Sequence, residues 1–96
     1  MARIHKALSV PVRLEILRLL AAHPCCVNAI TSSVGISQPA VSQHLAVLRQ
    51  VQLVRGEKRG YRVHYTLERA RLAEFQRAVA AFLDELAAAP ERRKGE

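Results

Sequence analysis

Polar side chains that can form hydrogen bonds recur along the stretch from Ser37 to Arg49. Those on its expected outer side are Gln38, Ser42, Gln43 and Arg49. Amides and hydroxyls donate and accept hydrogen bonds, and a guanidinium group donates them. In the major groove of duplex DNA, such groups recognise the edges of the bases. A solvated helix face can have the same composition, so the stretch alone leaves both interpretations open.

The same stretch carries the signals of a short helix that would hold these groups on one side. Ser37 can cap the first turn through its hydroxyl. Pro39 fits that turn, where a backbone N–H is not needed. Val41, Leu45 and Leu48 recur at helical spacing and are expected to face a core. The pattern therefore predicts a helix with one apolar and one polar face.

A weaker helical pattern precedes this helix, through residues 29–34. Its start is ambiguous, because Asn28 could cap it or Pro24 could already lie in its first turn. Gly35 is expected to end it in the left-handed conformation. Residues 27–50 are thus predicted to form a helix, a short turn with a glycine, and a second helix with a polar face, which is a helix-turn-helix.

A change of periodicity after Gln50 predicts a β-hairpin. Residues 55–60 are expected to form a charged tip bracketed by two glycines, and residues 61–66 a strand. Its basic residues are Arg55, Lys58, Arg59 and Arg62, against one acidic residue, Glu57. Like charges in a small loop repel unless phosphates compensate them, although a solvated turn is the alternative. We expect Lys58, Arg59 and Arg62 to hold phosphates or enter the minor groove, with Tyr61 beside them.

Two amphipathic helices are expected at the start of the chain, over residues 3–8 and 12–22. Ser9 can cap the second of them, with Pro11 in its first turn. Leu14 and Leu17 are expected to widen its apolar stripe. Its polar interruptions, Arg13, Glu15 and Arg18, have the spacing of an outer face.

The last helix is expected to begin near Thr66 and to carry an apolar stripe over four turns. The stripe consists of Leu72, Phe75, Val79, Phe82, Leu83 and Leu86. Packing on its own domain would cover part of this stripe, and a second copy across a twofold axis would cover the rest. We expect residues 1–90 to form one domain and residues 91–96 a charged, disordered tail.

Composition narrows the class of partner. The chain has 96 residues, of which 50% are hydrophobic, and a formal net charge of +7. Such a balance in a small domain favours a polyanionic partner, nucleic acid first. No apolar run approaches the roughly 18–20 residues of a membrane span, and the N-terminus is charged, which predicts a cytoplasmic protein with no membrane partner. Its cysteines are then thiols rather than a structural disulfide.

Three segments resemble the ArsR/SmtB family of bacterial repressors. They are KALSVPVRLEILRLL at residues 6–20, GISQPAVSQHLAVLR at residues 35–49, and RGYRVHY at residues 59–65. The likeness runs from residue 4 to residue 86. It implies a mostly α, homodimeric winged helix-turn-helix with about five helices and a two-stranded wing. It also implies dimer contacts from the first and last helices, so Ile4 and Leu8 join the apolar stripe of the last helix in the expected dimer interface. The resemblance further implies operator DNA with twofold symmetry, which is released when an inducer binds.

Inducers in this family are often metal ions or metalloids, and here the chain departs from its relatives. The arsenic-sensing members carry a Cys-Val-Cys box where this chain has Cys26, Val27 and Asn28, preceded by Cys25. The zinc-sensing members place Asp and His ligands on the last helix, whereas residues 67–86 contain no histidine.

Three interpretations of Cys25 and Cys26 remain open. Soft thiolates could bind a thiophilic metal or metalloid ion such as trivalent arsenic, the one cofactor that the sequence suggests. Thiols at a helix N-terminus could instead react with peroxide or reactive sulfur as a redox switch. Both cysteines could also be small apolar fillers in a helix junction.

The remaining chemistry is sparse. His44 is expected to support the polar helix or to contact a phosphate, and the histidines share no metal-ligand spacing. No motif for catalysis is present, so we expect no enzyme. Two rival classes remain: a winged helix that binds another protein, and a small thiol protein with incidental basic charge.

Overall fold

Five helices and three strands make up the fold in the computed structural model, which describes residues 1–92 and 95. The helices are α1 (Ala2–Leu8), α2 (Pro11–Ala22), α3 (Val27–Val34), α4 (Gln38–Gln50) and α5 (Arg69–Ala88). The strands are β1 (Cys25–Cys26), β2 (Val54–Arg59) and β3 (Arg62–Leu67), in the antiparallel order β1-β3-β2. The predicted winged helix-turn-helix is confirmed. The tail residues 93, 94 and 96 lie outside the described residues.

Apolar side chains from α2, α3, α4 and the start of β2 meet in one core. Its fully buried members are Ile16, Leu20, Ile30, Val41, Leu45, Leu48, Leu53 and Val54. Burying each such side chain contributes about 1.5–3 kcal/mol. The apolar face predicted for α4 is therefore the face that fixes this helix against its neighbours, and its polar face is left outside.

The turn between α3 and α4 is the one that the sequence predicts. Gly35 has a φ of +71° and its N–H donates to the Thr31 carbonyl, which ends α3. The Ser37 hydroxyl accepts a hydrogen bond from the Ala40 N–H at 3.3 Å and caps α4. The ambiguous start of α3 falls at Val27, with Cys26 as its N-cap.

A third strand, β1, is absent from the sequence-based prediction. Cys25 pairs with Tyr65 and Cys26 with His64, so the cysteines extend the hairpin into a three-stranded sheet. Two residues are too short to produce an alternating pattern, and their pairing depends on a strand some 40 positions later in the chain.

The predicted tip of the hairpin is too long. Residues 54–59 form β2, and the turn itself is only Gly60 and Tyr61, where Gly60 has a φ of +64°. Gly56 lies inside the strand, where a Cβ would come within 2.9 Å of Val63 Cγ1. This glycine therefore makes room for a cross-strand neighbour rather than for a turn.

Two predicted helix caps are wrong. Val10, not Ser9, precedes α2, and the Ser9 hydroxyl donates to the Lys6 carbonyl at the end of α1 instead. Thr66 lies within β3 rather than at the start of α5, because pairing with β2 continues to Leu67, which is buried. Helix α5 begins after Glu68.

Two residues of α2 exchange their expected environments. Leu14, predicted to lie in the apolar stripe, is 37% exposed. Arg13, predicted to lie on the outer face, is half-buried and donates hydrogen bonds to α1 and α4. The reason is that α1 and α4 both pack beside Arg13, so this side of α2 is covered.

Helix α5 has no buried residue along its 20 positions. Leu72 and Phe75 pack partly against the core, but Phe82, Leu83 and Leu86 are 42%, 55% and 56% exposed. The apolar stripe is thus only half covered within the chain. No helix in the described part of the chain is long and apolar enough to cross a membrane.

Candidate nucleic-acid interface

The polar face of α4 is exposed from its first turn onward. Ser37, Gln38, Ser42 and Gln43 are all exposed, whereas Val41 and Leu45 on the other face are buried. A helix of about 10–12 Å in diameter with a free polar face fits a major groove about 12 Å wide. The helix can therefore present amide and hydroxyl groups to base edges.

The start of α4 and the wing lie side by side. Gln38 and Arg62 line one cavity of about 290 Å³, together with Cys26, Asn28 and Tyr65. The sequence separates Gln38 from Arg62 by a helix and a strand, but the fold brings both residues to the wall of this cavity. An exposed amide and an exposed cation are thereby placed on one surface.

Ion pairs divide the basic residues of the wing into two groups. Arg55 is paired with Glu57 at 2.8 Å and also with Glu68, so its charge is largely compensated. Arg59 lies 3.6 Å from Glu57, a looser pair. Lys58 and Arg62 are exposed and have no ion pair within the described residues.

Tyr61 stands at the tip of the wing and is 90% exposed. The Arg62 guanidinium lies 5.7 Å from the centre of its ring, within the range of a cation–π contact. The tip therefore combines an aromatic ring with a cation, and both are available to a partner.

Arg49 is separated from the rest of the predicted interface. It lies in the last turn of α4, about 16 Å along the axis from Gln38 at 1.5 Å per residue. It lines a different cavity, together with Arg55 and Glu68.

His44 points away from the polar face and toward α2. It is half-buried, and its Nδ1 accepts a hydrogen bond from the Arg13 Nε at 3.1 Å. Burial, followed by the positive charge of Arg13, lowers the pKa of His44, which favours the neutral ring. Of the two roles predicted for His44, this geometry favours support of the helix.

Arg13 contacts α4 through His44, although its spacing in the sequence predicts an outward-facing side chain. Besides His44, it donates from Nη1 to the Ala7 carbonyl at 3.3 Å, and so links α1, α2 and α4. The sequence gives only a weak indication that Arg13 is partly buried, namely that it lies beside the apolar stripe of α2. Periodicity alone does not show which neighbouring helices cover that side.

The two cysteines differ in environment. Cys25 is 3% exposed, and its thiol lies 3.3 Å from the His23 Nδ1; burial, and then the charge of Cys26, raises its pKa. Cys26 is half-buried, and the backbone N–H of Ala29 is the largest cause that lowers the pKa of its thiol. The N–H of Asn28 and the charge of Arg62 act in the same direction. The lowered pKa and the greater exposure both favour the thiolate form at Cys26 over that at Cys25.

The described part of the chain does not bring together a complete set of metal ligands. Among residues 1–92 and 95, no group of three or more His, Cys, Asp or Glu side chains could hold a metal ion. Two thiols, one of them in contact with a histidine, are the softest donor set available.

These features define a winged helix-turn-helix domain with a polar recognition helix beside a basic wing. The family model of the bacterial regulatory proteins of the arsR family matches residues 10–55. The transcriptional repressor SdpR of Bacillus subtilis is 33% identical over 67 residues, which cover 70% of this chain and 74% of that protein. The chain belongs to the ArsR family.

Further relatives give the same assignment. The transcriptional repressor SmtB of Mycobacterium tuberculosis is 38% identical over 68 residues, 71% of this chain. The match spans half of that protein's length. A homodimeric winged helix-turn-helix DNA-binding domain from Mycobacterium bovis is 30% identical, with a TM-score of 0.72 over 96% of this chain and 85% of that one.

Proposed function

We propose that this chain is a homodimeric, non-enzymatic repressor that binds twofold operator DNA in the cytoplasm. The observation that carries the proposal is the common surface formed by Gln38 and Arg62, because it places base reading and phosphate binding together. In this proposal, Ser37, Gln38, Ser42 and Gln43 face the bases, and Lys58, Arg59, Tyr61 and Arg62 contact the backbone or the minor groove. Arg49 lies at the far end of α4 and would contact DNA only at the edge of this interface.

The homodimer is proposed from the exposed stripe of α5. Phe82, Leu83 and Leu86 form a contiguous apolar surface that a second copy would cover. Leu72, Phe75 and Val79 are half-buried and would contribute their remaining area. Ile4 is 3% exposed and Leu8 packs against the core, so α1 would support this interface more than form it.

The experiment that tests DNA binding replaces Arg59 by Ala and measures affinity for duplex DNA across a range of salt concentrations. Removal of a cation that binds phosphate should weaken binding to all sequences about equally. It should also flatten the dependence of log K on log salt by about one unit for each phosphate that the protein no longer binds. Arg77→Ala, which removes the same charge from α5, is the matched control.

A change in sequence preference in Arg59→Ala would contradict the assignment of the wing to the backbone. The rival classes make a different prediction. A protein-binding winged helix, or a thiol protein with incidental charge, would show no salt-dependent binding to duplex DNA in the wild type.

We further propose that an inducer acts at Cys26. The thiol shares its cavity with Gln38 and Arg62, so an adduct there would occupy space between the recognition helix and the wing. Its lowered pKa supports reaction with a thiophilic metalloid or with an oxidant, and the raised pKa of Cys25 argues against an equal role for that residue.

The test is a titration of arsenite, zinc, peroxide and polysulfide against the complex with DNA. Cys26→Ser should abolish release by the effective agent, and Cys25→Ser should retain most of it. Release that is equal in both variants and the wild type would contradict the proposal. DNA binding that none of the agents affects would also contradict it, and would favour the interpretation that both cysteines only fill space in the helix junction.

A further inference from the structure

A second basic surface lies on the other side of α4. Helices α1, α2 and α4 enclose a cavity of about 360 Å³. Its lining consists of Arg3, Lys6, Ala7, Arg13, Val47, Gln50 and Val51. Three of these residues are cationic and none is acidic, so the charges in this basic cavity are not balanced by its own walls.

Arg13 is held in place within this group. Its Nε donates to the Nδ1 of His44 and its Nη1 donates to the Ala7 carbonyl. These bonds use two of the five N–H groups of a guanidinium. Within the described residues the others have no hydrogen-bond partner, and they remain available to an acceptor.

Arg3 and Lys6 complete the basic cavity from α1. Both side chains are exposed, and at a spacing of three residues they lie on one side of the helix. Neither makes an ion pair within residues 1–92 and 95. Like charges gathered in this way repel one another unless an anion compensates them.

The basic cavity and the wing flank α4 on opposite sides. Gln38 borders the wing and Val47 borders the basic cavity. At 100° and 1.5 Å per residue, these two positions are about half a turn apart around α4 and about 13–14 Å apart along its axis, with the basic cavity at the end of the helix where Arg49 also lies. Ser42 and Gln43, which are exposed, lie between them.

We infer that the basic cavity binds the phosphates of the DNA strand opposite to the one that the wing contacts. A helix that fills the major groove has one phosphate backbone on each side of it. The wing supplies cations on one side, and Arg3, Lys6 and Arg13 supply them on the other. This inference rests on the proposed function, and it gives α1 a role in DNA binding besides its place beside the dimer helix.

The experiment compares Arg3→Gln and Lys6→Gln with Arg92→Gln, a matched removal of charge beyond α5. Affinity of the intact dimer for an operator fragment and for an unrelated duplex is measured across salt concentrations. Each cavity variant should reduce the slope of log K against log salt by about 0.9 for each phosphate no longer bound, or about 1.8 per dimer. Both DNAs should be affected equally. Lys6→Arg, which keeps the charge, should retain the wild-type slope.

Three results would overturn the inference. The first is that the cavity variants show the same slope as the control Arg92→Gln while Arg59→Ala shows a flatter one. That result would contradict this inference and leave the proposed function unaffected. Another is weaker binding with dissociation of the dimer in sedimentation, which would make the role structural. The third combines two observations. Millimolar inorganic phosphate would raise the melting temperature of the DNA-free wild type but not that of Lys6→Gln, and Lys6→Gln would keep the wild-type salt slope for DNA binding. The cavity would then be a site for small anions rather than for DNA. Absence of salt-dependent binding in the wild type would instead contradict the proposed function itself.

Discussion

Gln38 is the residue whose environment most specifically suggests base reading. It is exposed in the first turn of α4 and borders the cavity that also contains Arg62. Replacing it by Ala should reduce discrimination between operator and mismatched sequences by about 1–3 kcal/mol for each base that the side chain recognises. Affinity for unrelated DNA should be retained, because phosphate contacts are untouched.

The measurement for Gln38 is a competition assay with single-base variants of the operator. Gln76→Ala on α5 is the control, since it removes the same amide from another exposed helix position. Unchanged discrimination in Gln38→Ala would remove this side chain from the reading face.

His44 should make stability depend on pH. Its pKa is lowered from 6.5 in the folded chain, first by burial and then by Arg13, so the unfolded chain takes up the proton more readily. The free energy of unfolding should therefore fall as the pH drops below about 6.5. His44→Gln can still accept the hydrogen bond from Arg13 but cannot titrate, and it should lose less stability in this range.

Urea unfolding at pH 7.5, 6.5 and 5.5 would measure this effect. His23→Gln, at an exposed position outside the helices, is the control. A fall in stability of equal size in His44→Gln and in the wild type would show that this ring is not the source.

Single residues differ in how far the sequence could predict them. The caps at Ser37 and Gly35 follow from local chemistry and are confirmed. The hydrogen bonds of Arg13 could not be predicted, because its partners come from two other helices. The unequal chemistry of Cys25 and Cys26 was equally hidden, since it depends on β1 pairing with β3 and on which thiol faces the start of α3.

At the scale of elements, the stability of α4 depends on its cap. The Ser37 hydroxyl satisfies the Ala40 N–H, one of the free donors of the first turn. Ser37→Ala should cost about 0.5–2 kcal/mol. DNA affinity should fall as well, because the first turn also carries Gln38.

Chemical denaturation of the variant gives the stability change. Ser32→Ala is the matched control, because Ser32 lies exposed within α3 and caps nothing. A Ser37→Ala protein as stable as Ser32→Ala would mean that the hydroxyl contributes nothing to the helix.

Periodicity predicts the helices well and their ends less well. The buried faces of α2 and α4 have the 3.6-residue repeat that makes such predictions reliable. The strand formers predict the hairpin, but the sequence alone makes Gly56 look like a turn residue. Its function is to leave space for Val63 across the strand, and only the register of β2 and β3 reveals this.

At the scale of the whole molecule, the proposed dimer is expected to depend on the outer half of α5. Leu83 is 55% exposed beside Phe82 and Leu86. Leu83→Glu would place a charge in the proposed interface without disturbing the core, and a buried unpaired charge is strongly unfavourable. The variant should sediment as a folded monomer and bind operator DNA far more weakly.

Ala81→Glu is the control for this prediction. Ala81 is exposed and lies on the opposite side of α5 from the apolar stripe, at 100° per residue. A dimer that survives Leu83→Glu as well as it survives Ala81→Glu would place the subunit contact elsewhere.

The apolar excess of the sequence anticipates this exposed stripe, and the described chain leaves it uncovered. The sequence does not indicate that basic side chains flank α4 on two sides, those of the wing on one side and those of α1 and α2 on the other. That arrangement depends on how three helices pack, which no single stretch of the chain encodes.

The measurement that tests the central claim most directly is a hydroxyl-radical footprint of the wild-type protein on an operator fragment. Two recognition helices related by a twofold axis should protect two half-sites about one helical turn apart, on opposite strands in mirror-related patterns. Protection should disappear in Leu83→Glu at the same protein concentration. A single protected half-site that persists in Leu83→Glu would contradict the account of a dimer that reads two successive major grooves.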